Sequence, residues 1–324
     1  MERRHQCELF PFTHGRALLS ALLIASLSGC GGGTPTLGTP TSPSPAVLQT
    51  YTISVASAET GRPVSHARIS LDGASLETND LGQVQHSGTL TSRTFIDIDG
   101  TGFILRQAVF GSGPQFFLWP RTAASGMDEV FLKWLVYRVN LMFRHANGAE
   151  VAVLPSDEIQ SDGAAMATIR AAAMSVGEVT RGRVTYTVVN QRPSTGYVIE
   201  VLIDSSGGLA SANVKHNANC ESVGGSVKVH AITNARALNI VLHELGHHLG
   251  LNDIYPASGA VVPGYEQDLM GSGSGVTGFS ERERFALQLM YEYRRQGNRF
   301  PDQDRERPIL DGGNACWFYD NENR

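Results

Sequence analysis

Apolar and polar residues alternate from the first structured stretch of the chain. Tyr51, Ile53 and Val55 alternate with polar positions, and so do Ala67, Ile69 and Leu71, which is the period of a half-buried strand. Three more strands are predicted at 95–98, 103–105 and 116–119. Asp72-Gly73, Asn79-Asp80-Leu81-Gly82 and Asp99-Gly100 punctuate them as turns. About seven short strands over roughly seventy residues predict a small all-β sandwich. The small, polar stretch 122–127 reads as a boundary, and beyond it the pattern changes. Residues 164–176 have helical character, and 184–189, 197–203, 209–214 and 226–232 read as strands, the last two separated by Gly224-Gly225. A helix is predicted over 235–249 with Thr233 or Asn234 as its cap, and another over 279–294. The second has Ser280 as N-cap and Glu283 three positions on, a capping box. Helix, mixed sheet and further helix predict an α/β or α+β domain, and α+β is the class expected for the chain.

Composition changes this picture little. Of 324 residues, 41% are hydrophobic and 18% charged, which suits a packed globular protein. A net charge of -5 without a long run of one sign argues against nucleic acid as a partner. The N-terminus matters more. Arg3, Arg4 and Arg16 precede an apolar run over 17–27, too short to span a membrane as a helix but suited to a signal-peptide core. Leu27-Ser28-Gly29-Cys30 follows and resembles the bacterial lipobox. The resemblance implies lipidation of Cys30 and, with Gly31 next, sorting to the outer membrane. Residues 31–45 are Gly, Thr, Ser and Pro with little else, a tether between lipid and fold. Cys7 leaves with the leader, so Cys220 and Cys316 remain as a pair for which a disulfide is expected in an oxidising compartment; two free buried thiols are the alternative. The expected organisation is a signal peptide over 1–29, a tether over 30–47, the sandwich over 48–121, a second domain over 127–297 and a tail over 298–324.

The candidate chemistry lies on the helix predicted at 235–249. His243 and His247 are four residues apart, on one face and about 6 Å apart along the axis. Two imidazoles so placed can share one zinc ion, and Glu244 can reach a water at that ion without being a ligand. Gly250 can take the left-handed conformation and stop the helix, so that the chain turns back and brings Asp253 to the same point. His248 points about 100° away around the helix and reads as a packing residue. Glu266 and Glu281 are the alternative third ligands; His216 and His230 have no spacing that recommends them.

His243-Glu244-Leu245-Gly246-His247-His248-Leu249-Gly250-Leu251-Asn252-Asp253 resembles the metzincin zinc motif, with aspartate in the third-ligand place as in the snapalysin branch. Asp268-Leu269-Met270-Gly271-Ser272 is similar to the methionine turn of that clan, and the helix from Ser280 to the one after it. The resemblance covers roughly 164–294. It implies a zinc endopeptidase with His243, His247 and Asp253 as ligands, Glu244 as general base and Met270 packed under the site. It also implies an edge strand at 209–214 that receives an extended peptide. Two features depart from the pattern: Asp253 is a harder, anionic ligand, and Ser272 stands where some branches place a tyrosine. In the first domain, Thr60-Gly61-Arg62-Pro63-Val64 and the two turn segments after it resemble carboxypeptidase regulatory-like (transthyretin-like) domains, with a spacer or adhesion role. The competing functional expectation is a surface-anchored binding lipoprotein whose metal domain is structural or degenerate.

Overall fold

The computed structural model describes residues 48–91, 94–110, 113–137, 141–205, 210–232, 236–254, 262–272, 276, 278–294, 298, 300, 302 and 303. They belong to one contact unit that starts at Ala46. The predicted leader, Cys7, Cys30 and the predicted tether lie outside the described residues, as does Cys316.

Seven strands come first: β1 (Gln49–Ser57), β2 (Arg68–Leu71), β3 (Ala74–Glu77), β4 (Gln83–Gly88), β5 (Phe95–Asp99), β6 (Arg106–Val109) and β7 (Gln115–Leu118). They form a three-stranded sheet in the order β4-β1-β7 and a four-stranded sheet in the order β3-β2-β5-β6. Ile53, Val55, Ile69, Leu71, Ile96, Ile98, Phe116 and Leu118 fill the space between the sheets, so the alternating residues are the ones that become core. Asp72 and Gly73 both have positive φ, 50° and 76°, the geometry of a tight hairpin turn between β2 and β3. The strand predicted at 103–105 is displaced. Phe103 makes only an isolated bridge to Pro120, and the regular pairing falls on β6 against β5.

The remainder reads α1 (Glu129–Val136), β8 (Ala149–Pro155), α2 (Asp157–Gln160), α3 (Gly163–Val179), β9 (Val184–Val188), β10 (Tyr197–Ile203), β11 (Ala210–His216), β12 (Ser222–Val229), α4 (Ala237–His248), α5 (Leu269–Ser272) and α6 (Glu281–Tyr293). The five-stranded sheet runs β11-β12-β10-β8-β9. Strands β9, β8, β10 and β12 are parallel, and β11 lies antiparallel at the edge. With three sheets and six helices among the described residues, the fold is α+β.

Two expectations are corrected here. Gly224 and Gly225 do not separate strands but lie inside β12. A Cβ at Gly224 would stand 2.3 Å from the Val198 carbonyl oxygen, and one at Gly225 only 1.9 Å from that of Asn213. Close approach of both neighbouring strands, not a turn, therefore calls for glycine. Helix α4 begins at Ala237 with Arg236 in the N-cap position and no side-chain cap bond, while Thr233 and Asn234 lie outside the described residues. Burial of Ala237, Val241, Leu242 and Leu245 stabilises this helix in place of a cap. The capping box of α6 is present as predicted, with Ser280 and Glu283 each bonding the other's backbone N–H.

The main core extends across 122–127. Ala58, Ile104 and Trp119 share one buried cluster with Met127, Leu132, Val153, Leu245 and Met290. A buried ionic group joins the same parts. Asp302 Oδ1 accepts from Arg106 Nη1 of β6 at 2.8 Å and from Arg294 Nε, just past α6, at 2.6 Å. The Asp302 carbonyl accepts from Gln107 N–H at 2.9 Å, and Arg294 Nη2 donates to the Phe117 carbonyl at 2.9 Å. Asn298 and Asp302, in the predicted tail, are thus buried against both halves.

Candidate metal centre

Helix α4 lies on the five-stranded sheet with His243, Glu244 and His248 buried and His247 half-buried. The two imidazole rings of His243 and His247 are 5.0 Å apart and nearly perpendicular. Each ring is oriented by a backbone carbonyl. His243 Nδ1–H donates to the Leu269 carbonyl at 2.8 Å, and His247 Nδ1–H to that of Leu251 at 2.9 Å. These bonds fix the Nδ1–H orientation and turn both Nε2 atoms the other way.

Both Nε2 atoms face Asp253. Its Oδ1 lies 3.1 Å from His243 Nε2 and 3.4 Å from His247 Nε2. Four-coordinate zinc at nitrogen and oxygen distances of about 2.0–2.1 Å separates its ligand atoms by about 3.3 Å. The three residues could therefore hold a metal ion, and their spacing is compatible with zinc. Among the described residues, this is the only group of three or more such side chains whose donor atoms all lie within 4.8 Å of one another. The site also favours positive charge. Burial disfavours protonation of His243, yet Asp253, Glu244 and the Leu269 carbonyl outweigh it and raise its pKa. Burial likewise pushes the Glu244 carboxyl up to about 7, with His243 opposing and Asp253 adding to the rise.

The chain reaches Asp253 through a sharp helix stop. Gly250 N–H donates to the His247 carbonyl and Leu251 N–H to the Gly246 carbonyl, both at 3.0 Å, the paired bonds of a Schellman motif. Gly250 has φ +101°, and a Cβ there would lie 1.7 Å from the Phe143 carbonyl oxygen. Glycine is required on both counts.

Met270 is fully buried below the helix, and a Cβ on Gly246 would come within 2.8 Å of its sulfur. The turn that carries it is braced from α6. The Glu283 carboxylate accepts from Leu269 N–H at 3.0 Å, Met270 N–H at 2.7 Å and Ser280 N–H at 2.7 Å. Asp268 accepts from the Ser280 hydroxyl at 2.6 Å and pairs with Arg282. The capping box revealed Glu283 as a helix residue; its second task, holding the turn whose Leu269 carbonyl orients His243, left no mark in the sequence.

The remaining candidates fall elsewhere. His248 packs against β12, with Nε2 3.4 Å from the Ser226 carbonyl, and burial lowers its pKa to about 3. Glu266 is exposed and accepts from Gly264 N–H at 2.9 Å, and Glu281 opens the first turn of α6; neither joins the cluster. Cys220 is disulfide-bonded, and Cys316, its expected partner, lies outside the described residues. The predicted edge strand at 209–214 corresponds to β11, which lies at the sheet edge and packs beside α4. Among the described residues no helix is long and apolar enough to cross a membrane. No protein-family profile matches the chain, and no curated protein is detectably similar to it.

Proposed function

We propose that the chain is a zinc-dependent endopeptidase of the metzincin type, exported and held at a bacterial envelope, at the outer membrane, through lipid on Cys30. One observation carries the reading: the donor atoms of His243, His247 and Asp253 converge on one point, and the buried Glu244 interacts electrostatically with His243 and Asp253. The helix stop at Gly250 and the methionine packed under Gly246 support the same type of site.

His243 Nε2, His247 Nε2 and Asp253 Oδ1 would hold Zn²⁺. When bound, zinc supplies a Lewis acid that activates water and polarises a peptide carbonyl. Glu244 takes the proton of the attacking water on its carboxylate. As the C–N bond breaks, it passes that proton to the leaving amine, so the carboxylate ends the cycle unprotonated. The carbonyls of Leu269 and Leu251 keep the two imidazoles in the ligating tautomer. Substrates are extended peptide segments that pair with β11, the edge strand next to the metal helix.

The test is Glu244→Gln. The variant should retain one zinc per chain by metal analysis, while hydrolysis of denatured casein falls by at least about 100-fold. Wild-type rates in that variant would overturn the assignment of Glu244 as general base; zinc bound to the wild type without any chelator-sensitive proteolysis would return the protein to the class of surface-binding lipoproteins.

A further inference from the structure

Of the three donors at the metal point, two lie on α4, where the helix backbone fixes them. Asp253 is the one off the helix, and its side chain is 39% exposed, so packing alone does not hold it. Besides its contacts with the two histidines, its segment is tied down on either side. Ile254 N–H donates to the Met270 carbonyl at 3.0 Å, which ties the far side to the methionine turn. On the near side, Asn252 N–H donates to the Leu135 carbonyl at 2.7 Å. The Asn252 Nδ2 amide adds contacts of 3.3 Å to both the Trp134 and the Leu135 carbonyls.

Trp134 and Leu135 belong to the last turn of α1, where helix carbonyls have no partner within the helix. Asn252 therefore acts as a C-terminal cap for α1, supplied from a segment more than a hundred residues downstream. Helix α1 is itself well fixed. Its N-cap Asp128 accepts from Phe131 N–H at 2.7 Å, and Phe131, Leu132, Leu135 and Val136 are buried. Glu129 N–H donates to the Arg121 carbonyl at 2.9 Å, next to the end of the sandwich.

We infer that Asn252 is a positioning residue: by clamping its segment to the C-terminal carbonyls of α1 it sets where the Asp253 carboxylate meets a divalent cation. The inference rests on the zinc reading above. Metal ligands must be held to about 0.5 Å, and losing a group that orients a ligand costs roughly 10- to 100-fold in metal affinity. In Asn252→Ala the backbone bond to Leu135 survives and the two amide contacts go, so the low end of that range applies.

The experiment measures Zn²⁺ affinity of the full chain by competition with a chromogenic chelator, together with the visible absorption of the Co²⁺-loaded protein. Asn252→Ala should bind Zn²⁺ roughly tenfold more weakly and show a changed Co²⁺ band, with kcat lowered and KM unchanged. Asn252→Ser, which restores one donor, should recover part of the affinity. A merely structural role would lower the melting temperature of the metal-free protein and leave the Co²⁺ band as in wild type. Should the alanine variant not fold, the serine variant carries the same comparison. A wild type that binds Zn²⁺ and variants that match it in affinity and spectrum would overturn the clamp alone. A wild type that binds no Zn²⁺ would overturn the metal reading and the clamp with it.

Discussion

Gly250 shows how narrow the demands are at the scale of one residue. It must hold φ +101° and also leave room for the Phe143 carbonyl, which a Cβ would meet at 1.7 Å. Alanine there would be strained in the left-handed region and would push a backbone oxygen aside. Gly250→Ala should lower unfolding free energy by at least about 2 kcal/mol in urea titration, and should weaken zinc binding because Asp253 follows three residues later. The left-handed glycine was legible in the sequence, since a helix stop of this kind has a local signature. The Phe143 contact was not, because it comes from a segment roughly a hundred residues upstream whose position no local pattern gives. The same holds for the candidate site. His243, Glu244 and His247 follow from helix period alone, whereas the carbonyls that orient the imidazoles come from Leu251 and Leu269, outside the helix.

At the scale of elements, α6 does more than its local pattern announces. Its capping box also braces the turn of Met270, because the Glu283 carboxylate accepts three backbone N–H groups within 3.0 Å. Glu283→Ala would leave buried donors without their acceptor, each at about 1–3 kcal/mol. An overall loss of about 3 kcal/mol is expected by chemical denaturation. Zinc affinity should fall with it, since the Leu269 carbonyl that orients His243 lies on the same turn. Elements with strong period or caps were readable: α3, α6, β1, β2, β5, β9 and β10 fall where the pattern puts them. Strands β3 and β4 carry little signal, because their outward faces are polar and their inward faces, Gly88 apart, only half buried. Helix α1 escaped because eight residues give too short a window for a 3.6-residue period.

Across the whole molecule, the sandwich and the α+β part share a core and a buried ionic junction. Arg106 and Arg294 lie close enough to repel, and burial followed by that repulsion lowers the Arg106 pKa to about 10. Asp302 offsets both effects by accepting from the two guanidinium groups. Asp302→Ala would leave two buried cations without their shared anion, a change that typically costs about 3–5 kcal/mol. Thermal or urea unfolding should show that loss, and a variant as stable as wild type would mean that the junction contributes nothing to holding the two parts together.

By itself the sequence determined the features whose physics is local: strand alternation, helix period, caps, turn glycines, and a histidine pair one helical turn apart with Glu244 beside it. It placed Asp253 as a candidate through its spacing from that pair, and Met270 only through the resemblance of its turn to a methionine turn. Only the tertiary structure decided that Asp253, and neither Glu266 nor Glu281, stands within 3.1–3.4 Å of the two Nε2 atoms. The structure likewise decided that α1, Phe143 and Glu283 frame that meeting. The reason is physical: a residue off the helix is held by backbone groups from distant segments, and where those segments come together is fixed by packing of the whole core, not by any short run of residues.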